Sequence, residues 1–181
     1  DQKAAIAAYA ASLVRPGQVI VLDVGSTTTA IALELVARRD LRDVTVVTSG
    51  LNVAMALEPA ADRISVLVTG GMVRPLQHSL VNPFGSLILE QISAHLAFIG
   101  CNGVDDARGI TNLNFAEAEV KKAMIAAARP ASGPVAAIEP RIDRWFGHDH
   151  MQDIVAALQA DGRIVLGGSF STVGGVERSQ I

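Results

Sequence analysis

The sequence predicts an α/β fold, a mostly parallel sheet flanked by helices around one core. Three observations predict it. Short β-branched runs alternate along the chain with longer segments of helical apolar period, the pattern of units that build a parallel sheet. Three such runs in succession, 18–22, 44–47 and 64–68, end in small hydroxyl or glycine residues. In an open parallel sheet, ligands bind outside the carboxyl ends of the strands, so three small polar ends predict one shared crevice. Glycine and threonine also populate strand-to-helix turns with no ligand near, and both readings stand at this point. Finally, no repeat and no linker divides the 181 residues, a length ordinary for one domain.

Composition narrows the function. Half of the residues are hydrophobic, enough for a sizeable core, and the net charge is −3. No global basic field therefore draws this chain onto nucleic acid. Aromatic residues make up 4%, too few for a surface that stacks single-stranded bases. The single cysteine, Cys101, cannot form an internal disulfide, which fits a reducing cytoplasm. No apolar run reaches the roughly 18 residues of a membrane span, and no signal peptide opens the chain. The expectation is a soluble, cytoplasmic protein with no membrane partner.

The elements follow in order. Residues 2–14 place Ile6, Tyr9 or Ala10, Leu13 and Val14 on one helical face, and Pro16-Gly17 ends that helix. A strand over 18–22 leads to a helix over 30–36 with little polar surface. A strand over 44–47, a short helix over 51–57 and a strand over 64–68 come next. Pro75 and Pro83 exclude a continuous helix between them, and 79–81 adds a short strand. Residues 84–92 read as a helix and 96–99 as a fourth strong strand, which ends at Gly100-Cys101-Asn102-Gly103. Asn114 precedes a helix over 115–128 that turns Ala116, Val120, Ala123, Met124 and Ala127 inward, with Glu117, Lys121 and Lys122 at polar positions. Residues 130–134 are a loop, 134–139 a strand and 140–147 irregular. Residues 149–160 read as an amphipathic helix with Ile154, Val155 and Leu158 on one side, and 163–166 as a last strand. From 167 to 181 small and polar residues dominate, so the domain is expected over 1–166 and a mobile tail beyond it.

The candidate chemistry centres on Asp23-Val24-Gly25-Ser26-Thr27-Thr28-Thr29, one carboxylate, one glycine and four consecutive hydroxyls between a strand and a helix. A strand-to-helix turn points unpaired backbone N–H groups outward, and the helix dipole makes that point attractive to anions. Glycine lets a ligand approach the backbone, and hydroxyls add donors. The stretch reads as a phosphate cradle. It also reads as a helix N-cap, since Ser and Thr cap helices without any ligand. Asp23 carries a second reading too, as an acceptor for turn N–H groups. Glu117 and Lys121 are four apart, the favoured order for a solvated i,i+4 ion pair. His78, His95, His148 and His150 show no metal-ligand spacing. Cys101, at a strand end, reads as a small packing residue rather than a nucleophile. No metal and no cofactor are expected.

With these residues in view, the chain resembles the effector-binding domain of DeoR-family transcriptional regulators. The resemblance is carried by Asp23-Val24-Gly25-Ser26-Thr27-Thr28-Thr29, Val46-Val47-Thr48-Ser49, Val68-Thr69-Gly70-Gly71, Ala97-Phe98-Ile99-Gly100-Cys101-Asn102-Gly103, Gly109-Ile110-Thr111 and Glu117-Ala118-Glu119-Val120-Lys121-Lys122-Ala123-Met124. It covers about residues 3–138. It implies a fold related to ribose-5-phosphate isomerase and coenzyme A transferases. It also implies a phosphorylated sugar or related metabolite as effector, a homo-oligomer, and DNA binding only through a winged helix-turn-helix that is not found in this sequence. Departures are visible. Thr48-Ser49 stands where the family has Thr-Asn, Asn82 replaces a glycine, and Asn102 stands where Asp is usual. After Glu139 the pattern breaks, and no binding lysine carries over onto 140–147.

The expected site follows from both readings. Phosphate sits on the N–H groups and hydroxyls of Gly25, Ser26, Thr27 and Thr28, with Ser49 at the neighbouring strand end. Asp23 and Asn102 hydrogen-bond sugar hydroxyls, and Gly103 allows close backbone approach. Lys121 adds positive charge, while Glu117 orients it or takes a hydroxyl. The alternative is a sugar-phosphate isomerase, in which Glu117 is the base and Arg108 or Lys121 stabilises the enediolate. Asn102 favours binding over turnover, because an amide does not exchange a proton at neutral pH. A sensor without catalysis is the expected class.

Overall fold

The computed structural model describes residues 2–105, 109–128, 154–159, 164–167, 172–173 and 176–177. Helix α1 (Gln2–Leu13) leads to strand β1 (Val19–Leu22), helix α2 (Ser26–Ala37), strand β2 (Val44–Thr48), helix α3 (Leu51–Leu57) with a 3-10 turn at Glu58–Ala60, and strand β3 (Ile64–Val68). A hairpin of β4 (Met72–Arg74) and β5 (Ser79–Val81) precedes α4 (Phe84–Leu89) and β6 (Leu96–Cys101). A second hairpin, β7 (Gly103–Asp105) with β8 (Gly109–Thr111), precedes α5 (Phe115–Ala127). Strands β9 (Ile154–Gln159) and β10 (Ile164–Gly167) follow, then the short antiparallel pair β11 (Thr172–Val173) and β12 (Val176–Glu177).

Six strands form one sheet in the order β10-β9-β6-β1-β2-β3. Strands β6, β1, β2 and β3 run parallel, while β9 is antiparallel to β6 and β10 to β9. The apolar runs of β1, β2 and β6 read as strands because both faces of the sheet are covered there, while β3 at the edge leaves Leu67 and Val68 exposed. Ile20, Leu22, Val44, Val46, Leu96 and Phe98 meet α1, α2 and α3 on one face. Val21, Val47, Ala97 and Ile99 meet Leu89 of α4 and Val120 and Met124 of α5 on the other. Alternate residues of one strand thus feed different cores. From β1 the chain moves to β2 on one side and later returns to β6 on the other, so the order reverses beside β1. That reversal opens a crevice at the carboxyl ends of the strands, where α2 begins.

Of the alternatives Tyr9 and Ala10, Ala10 is the one buried in α1, and Tyr9 is 47% exposed. Three details depart from the sequence expectations. The helix after Pro83 stops at Leu89 rather than running to 92. Lys121, expected at a polar position, is buried, for the reason given below. The expected helix over 149–160 is a strand over 154–159, paired along its whole length with β6. Ile154, Val155 and Leu158 satisfy a helical template, but a short apolar run fits a strand as well, and the exposed edge of β6 decides. The expected strand at 134–139 and irregular stretch at 140–147 lie outside the described residues. So do most of the residues of the expected tail, within which β11 and β12 pair.

Candidate functional site

A cleft of about 600 Å³ lies at the carboxyl ends of the strands. One wall is the start of α2. The other is built by Arg74 and His78 of the β4–β5 hairpin, by Asn102 and Asn112 near β6 and β8, and by Glu117 and Lys121 of α5. Asn52 and Val53 of α3 close one end.

The α2 wall is made by Gly25. Its φ of 132° and ψ of 167° belong to a region that only glycine visits without strain. Gly25 is the N-cap, with no side-chain cap hydrogen bond. The hydroxyls of Thr28 and Thr29 turn back instead and donate to the Gly25 carbonyl at 2.9 and 2.8 Å, which also accepts from the Thr29 N–H. The reading of Thr28 and Thr29 as N-caps therefore fails, since their hydroxyls satisfy a carbonyl while the N-cap is Gly25; the first turn of α2 lines the cleft. Thr27 is 3% exposed, and its Oγ1 has no hydrogen-bond partner. A buried orphan hydroxyl beside a lined cleft is the mark of a polar ligand or water that completes it. Ser26 Oγ accepts from Lys3 Nζ at 3.0 Å.

The α5 wall is held by two ion pairs. Lys121 Nζ meets Asp23 Oδ2, with both side chains nearly excluded from solvent, and donates to the Gly100 carbonyl at 2.8 Å. Asp23 also accepts from the Gly100 N–H at 2.9 Å. The pair ties the end of β1 to the end of β6 and to α5, and this is why Lys121 is buried: a charge enters the interior when a counter-charge and hydrogen bonds receive it. Glu117 and Lys121 do not pair with each other. Glu117 Oε1 meets Arg74 Nη1 and accepts from Ser79 Oγ at 3.1 Å, while Oε2 accepts from Asn112 Nδ2 at 3.4 Å. Asn114 caps α5, its Oδ1 accepting from the Glu117 N–H at 3.0 Å. A carboxylate with this many donors locks the hairpin to α5 rather than waiting as a base.

Of the residues expected from sequence, Gly25, Ser26, Thr27, Thr28, Asn102, Glu117 and Lys121 line one cleft. Asp23, Ser49 and Gly103 are not among the lining residues. Asp23 accepts not from its own turn, as its second reading had it, but from the Gly100 N–H of β6, and it pairs with Lys121. Ser49 is 2% exposed, and its carbonyl accepts from Leu80 N at 2.8 Å. At Gly103 a Cβ would lie 2.9 Å from Thr111 Oγ1, so the glycine serves the hairpin. Asn102 lines the cleft, and its Oδ1 accepts from the Leu113 N–H at 2.9 Å. Burial pushes the Cys101 thiol up to about 12; the nearby Lys121 charge opposes the shift and Asp23 adds to it. It is no nucleophile at neutral pH. Sequence reasoning missed Arg74 and Asn112. Arg74 sits immediately before Pro75, at the start of the stretch with the weakest periodicity. Asn112 and Asn114 flank the start of α5, where the cap alone drew notice. Arg108, His148 and His150 lie outside the described residues, and among those described no three His, Cys, Asp or Glu side chains gather around a metal-sized space. No described helix is long and apolar enough to cross a membrane.

The family described as DeoR C terminal sensor domain matches residues 1–132. The HTH-type transcriptional regulator GolR of Listeria innocua is 38% identical over 122 residues, which are 67% of this chain and 46% of that protein. A putative aga operon transcriptional repressor of Escherichia coli is 33% identical over 122 residues, 67% of this chain and 44% of its own length. The chain thus spans about half the length of the curated relatives it matches. Ribose 5-phosphate isomerase A from Methanocaldococcus jannaschii shares the fold, with a TM-score of 0.50 and 19% identity over 72% of this chain and 52% of that one.

Proposed function

Starting from the membership of this chain in the DeoR family as a C-terminal sensor domain, we propose that its cleft binds a phosphorylated sugar or related metabolite. The phosphoryl group sits on the first turn of α2. The observation that carries this reading is the state of that turn. The hydroxyls of Thr28 and Thr29 bond backwards to Gly25, residues 25–29 line the cleft, and Thr27 Oγ1 is buried without a partner. A phosphoryl oxygen would accept from those groups and meet the positive end of the helix dipole. On the facing wall the Nδ2 of Asn102 and the Oδ1 of Asn112 suit the hydroxyls of a sugar, the other atom of each amide being engaged by Leu113 N–H and by the Asn114 carbonyl and Glu117 respectively.

The domain acts by binding and not by turnover. Glu117, the one carboxylate that lines the cleft, is engaged by Arg74, Ser79 and Asn112. Within a longer cytoplasmic regulator, ligand occupancy favours one arrangement of this domain and so changes how a separate domain, in a homo-oligomer, holds DNA. Thermal unfolding against a panel of sugar phosphates, each paired with its unphosphorylated sugar, tests the reading. At about 100 times its dissociation constant the right ligand stabilises the native state by about 2.7 kcal/mol, and its free sugar does not. A well-folded sample that no phosphorylated compound stabilises would sink the proposal. Turnover of the stabilising compound to its ketose or aldose isomer would replace the sensor with an enzyme.

A further inference from the structure

Strand β3 ends the sheet on its parallel side, and among the described residues no strand lies beyond it. Val44 N–H donates to the Arg63 carbonyl at 3.4 Å, and Thr69 N–H to the Thr48 carbonyl at 3.0 Å. Successive residues of a strand direct their backbone groups to opposite sides, so residues 63, 65, 67 and 69 address β2. The N–H and C=O groups of Ile64, Val66 and Val68 therefore point to the open edge. Folded proteins guard such an edge with a lysine, a proline or a bulge. The run Ile64-Ser65-Val66-Leu67-Val68 has no charge and no proline, and its register with β2 is unbroken. The cation beside it, Arg63, turns inward and donates to the carbonyls of Val36 and Arg38.

The surface around this edge is apolar. Leu67 and Val68 are exposed, and Met72, Val73, Phe84 and Leu87 are each more than half exposed. Met72 and Val73 follow β3 after three residues. At Gly85 of α4 a Cβ would lie 3.5 Å from Thr69 Oγ1, so α4 begins against the end of β3. From 64 to 89 the only Asp, Glu, Lys or Arg is Arg74, which Glu117 holds, although the whole chain is 18% charged. Apolar surface depleted in charge is the composition of contacts between identical subunits. The edge is also complementary to itself. In an antiparallel two-fold contact centred on Val66, that residue faces its own copy and Ile64 faces Val68, so all three outward residues pair at once. Asp62 then faces Gly70, and no like charges meet. We propose that β3 pairs in this register with β3 of a second copy of this chain, making one sheet continuous through both copies. This rests on the homo-oligomer of the proposed function and locates its contact; it does not depend on the phosphoryl reading.

The test is sedimentation of the 181-residue chain over about 1 to 200 µM, with amide hydrogen exchange read by NMR. Wild type is expected to sediment at twice the 18.9 kDa chain mass, with the amides of Ile64, Val66 and Val68 protected. Leu67→Lys sets two ammonium groups diagonally across the two-fold axis. It should weaken the dimer about ten-fold, leave the unfolding midpoint of the monomer unchanged, and open those three amides while the Ser65 and Leu67 amides stay bonded to β2. Leu33→Lys, on the exposed side of α2, should remain dimeric. A wild-type chain that stays monomeric throughout overturns the proposal and leaves the ligand reading untouched. A dimer that Leu67→Lys does not weaken, with the three amides open, overturns this contact and keeps the homo-oligomer. Protection of those amides in a monomer overturns it too, since a segment of the same chain would then cover β3.

Discussion

On the α5 wall of the cleft Glu117 and Lys121 each meet a counter-charge inside the protein, and Asp23 and Arg74 are those partners. On the α2 wall no carboxylate is among the described lining residues. There the start of α2 lines the cleft, and the Thr27 hydroxyl is buried without a partner. The charges of the α5 wall are occupied in holding β1, β6, the β4–β5 hairpin and α5 together, while that hydroxyl is unengaged. In a binding cleft, what a group can do for a ligand depends on what it is not already doing for the fold.

The sharpest way to break that contrast is to mutate one residue on each wall. Asp23→Ala leaves Lys121 as an uncompensated buried charge. It should cost about 3–5 kcal/mol, a fall in Tm of roughly 10 °C for a domain of this size. Asp23→Leu together with Lys121→Met should recover most of that loss, because the pair is removed as a unit. Gly25→Ala forces an L-residue to a φ of 132°. It should destabilise by about 1–3 kcal/mol in denaturant unfolding and abolish ligand-induced stabilisation. Thr27→Val removes only the orphan hydroxyl. Unliganded stability should stay within about 0.5 kcal/mol, while affinity for a phosphorylated ligand drops about ten-fold by calorimetry. Equal loss of stability in Thr27→Val and Asp23→Ala would erase the distinction between the walls.

Cys101, between the walls, gives the smallest effect at neutral pH. Burial raises its thiol from an ordinary value of 9.0 to about 12. The native protein thus keeps this proton in a range where the unfolded chain releases it. Below 9.0 the thiol contributes no pH dependence, and between 9.0 and about 12 stability falls as pH rises. Alkylation by iodoacetamide at neutral pH should be slow in the native protein and fast in urea. Fast native alkylation would mean that the end of β6 is open.

The fold was legible where a strand is covered on both faces, as at 18–22, 44–47 and 96–99; the edge strand at 64–68, with Leu67 and Val68 exposed, was legible from its β-branched residues alone. The strand at 154–159 was misread because Ile154, Val155 and Leu158 fit either period, and its partner, β6, is more than fifty residues away in sequence. Of the site, the hydroxyl run was legible because one short segment holds all of it. The direction of each hydroxyl was not, since Thr28 and Thr29 could cap or bond backwards with the same residues. The pairing of Lys121 with Asp23, 98 residues apart, was hidden behind the nearer and weaker choice of Glu117.

The most direct test of the account is to titrate 15N-labelled protein with inorganic phosphate and follow the backbone amides. The account predicts the largest, saturable shifts at Ser26, Thr27 and Thr28, with little change at Gly100 and Lys121, and their loss in Thr27→Val. Shifts centred instead on the Arg74–Glu117 wall would contradict it, because the anion would then have displaced a charge pair rather than filled vacant donors.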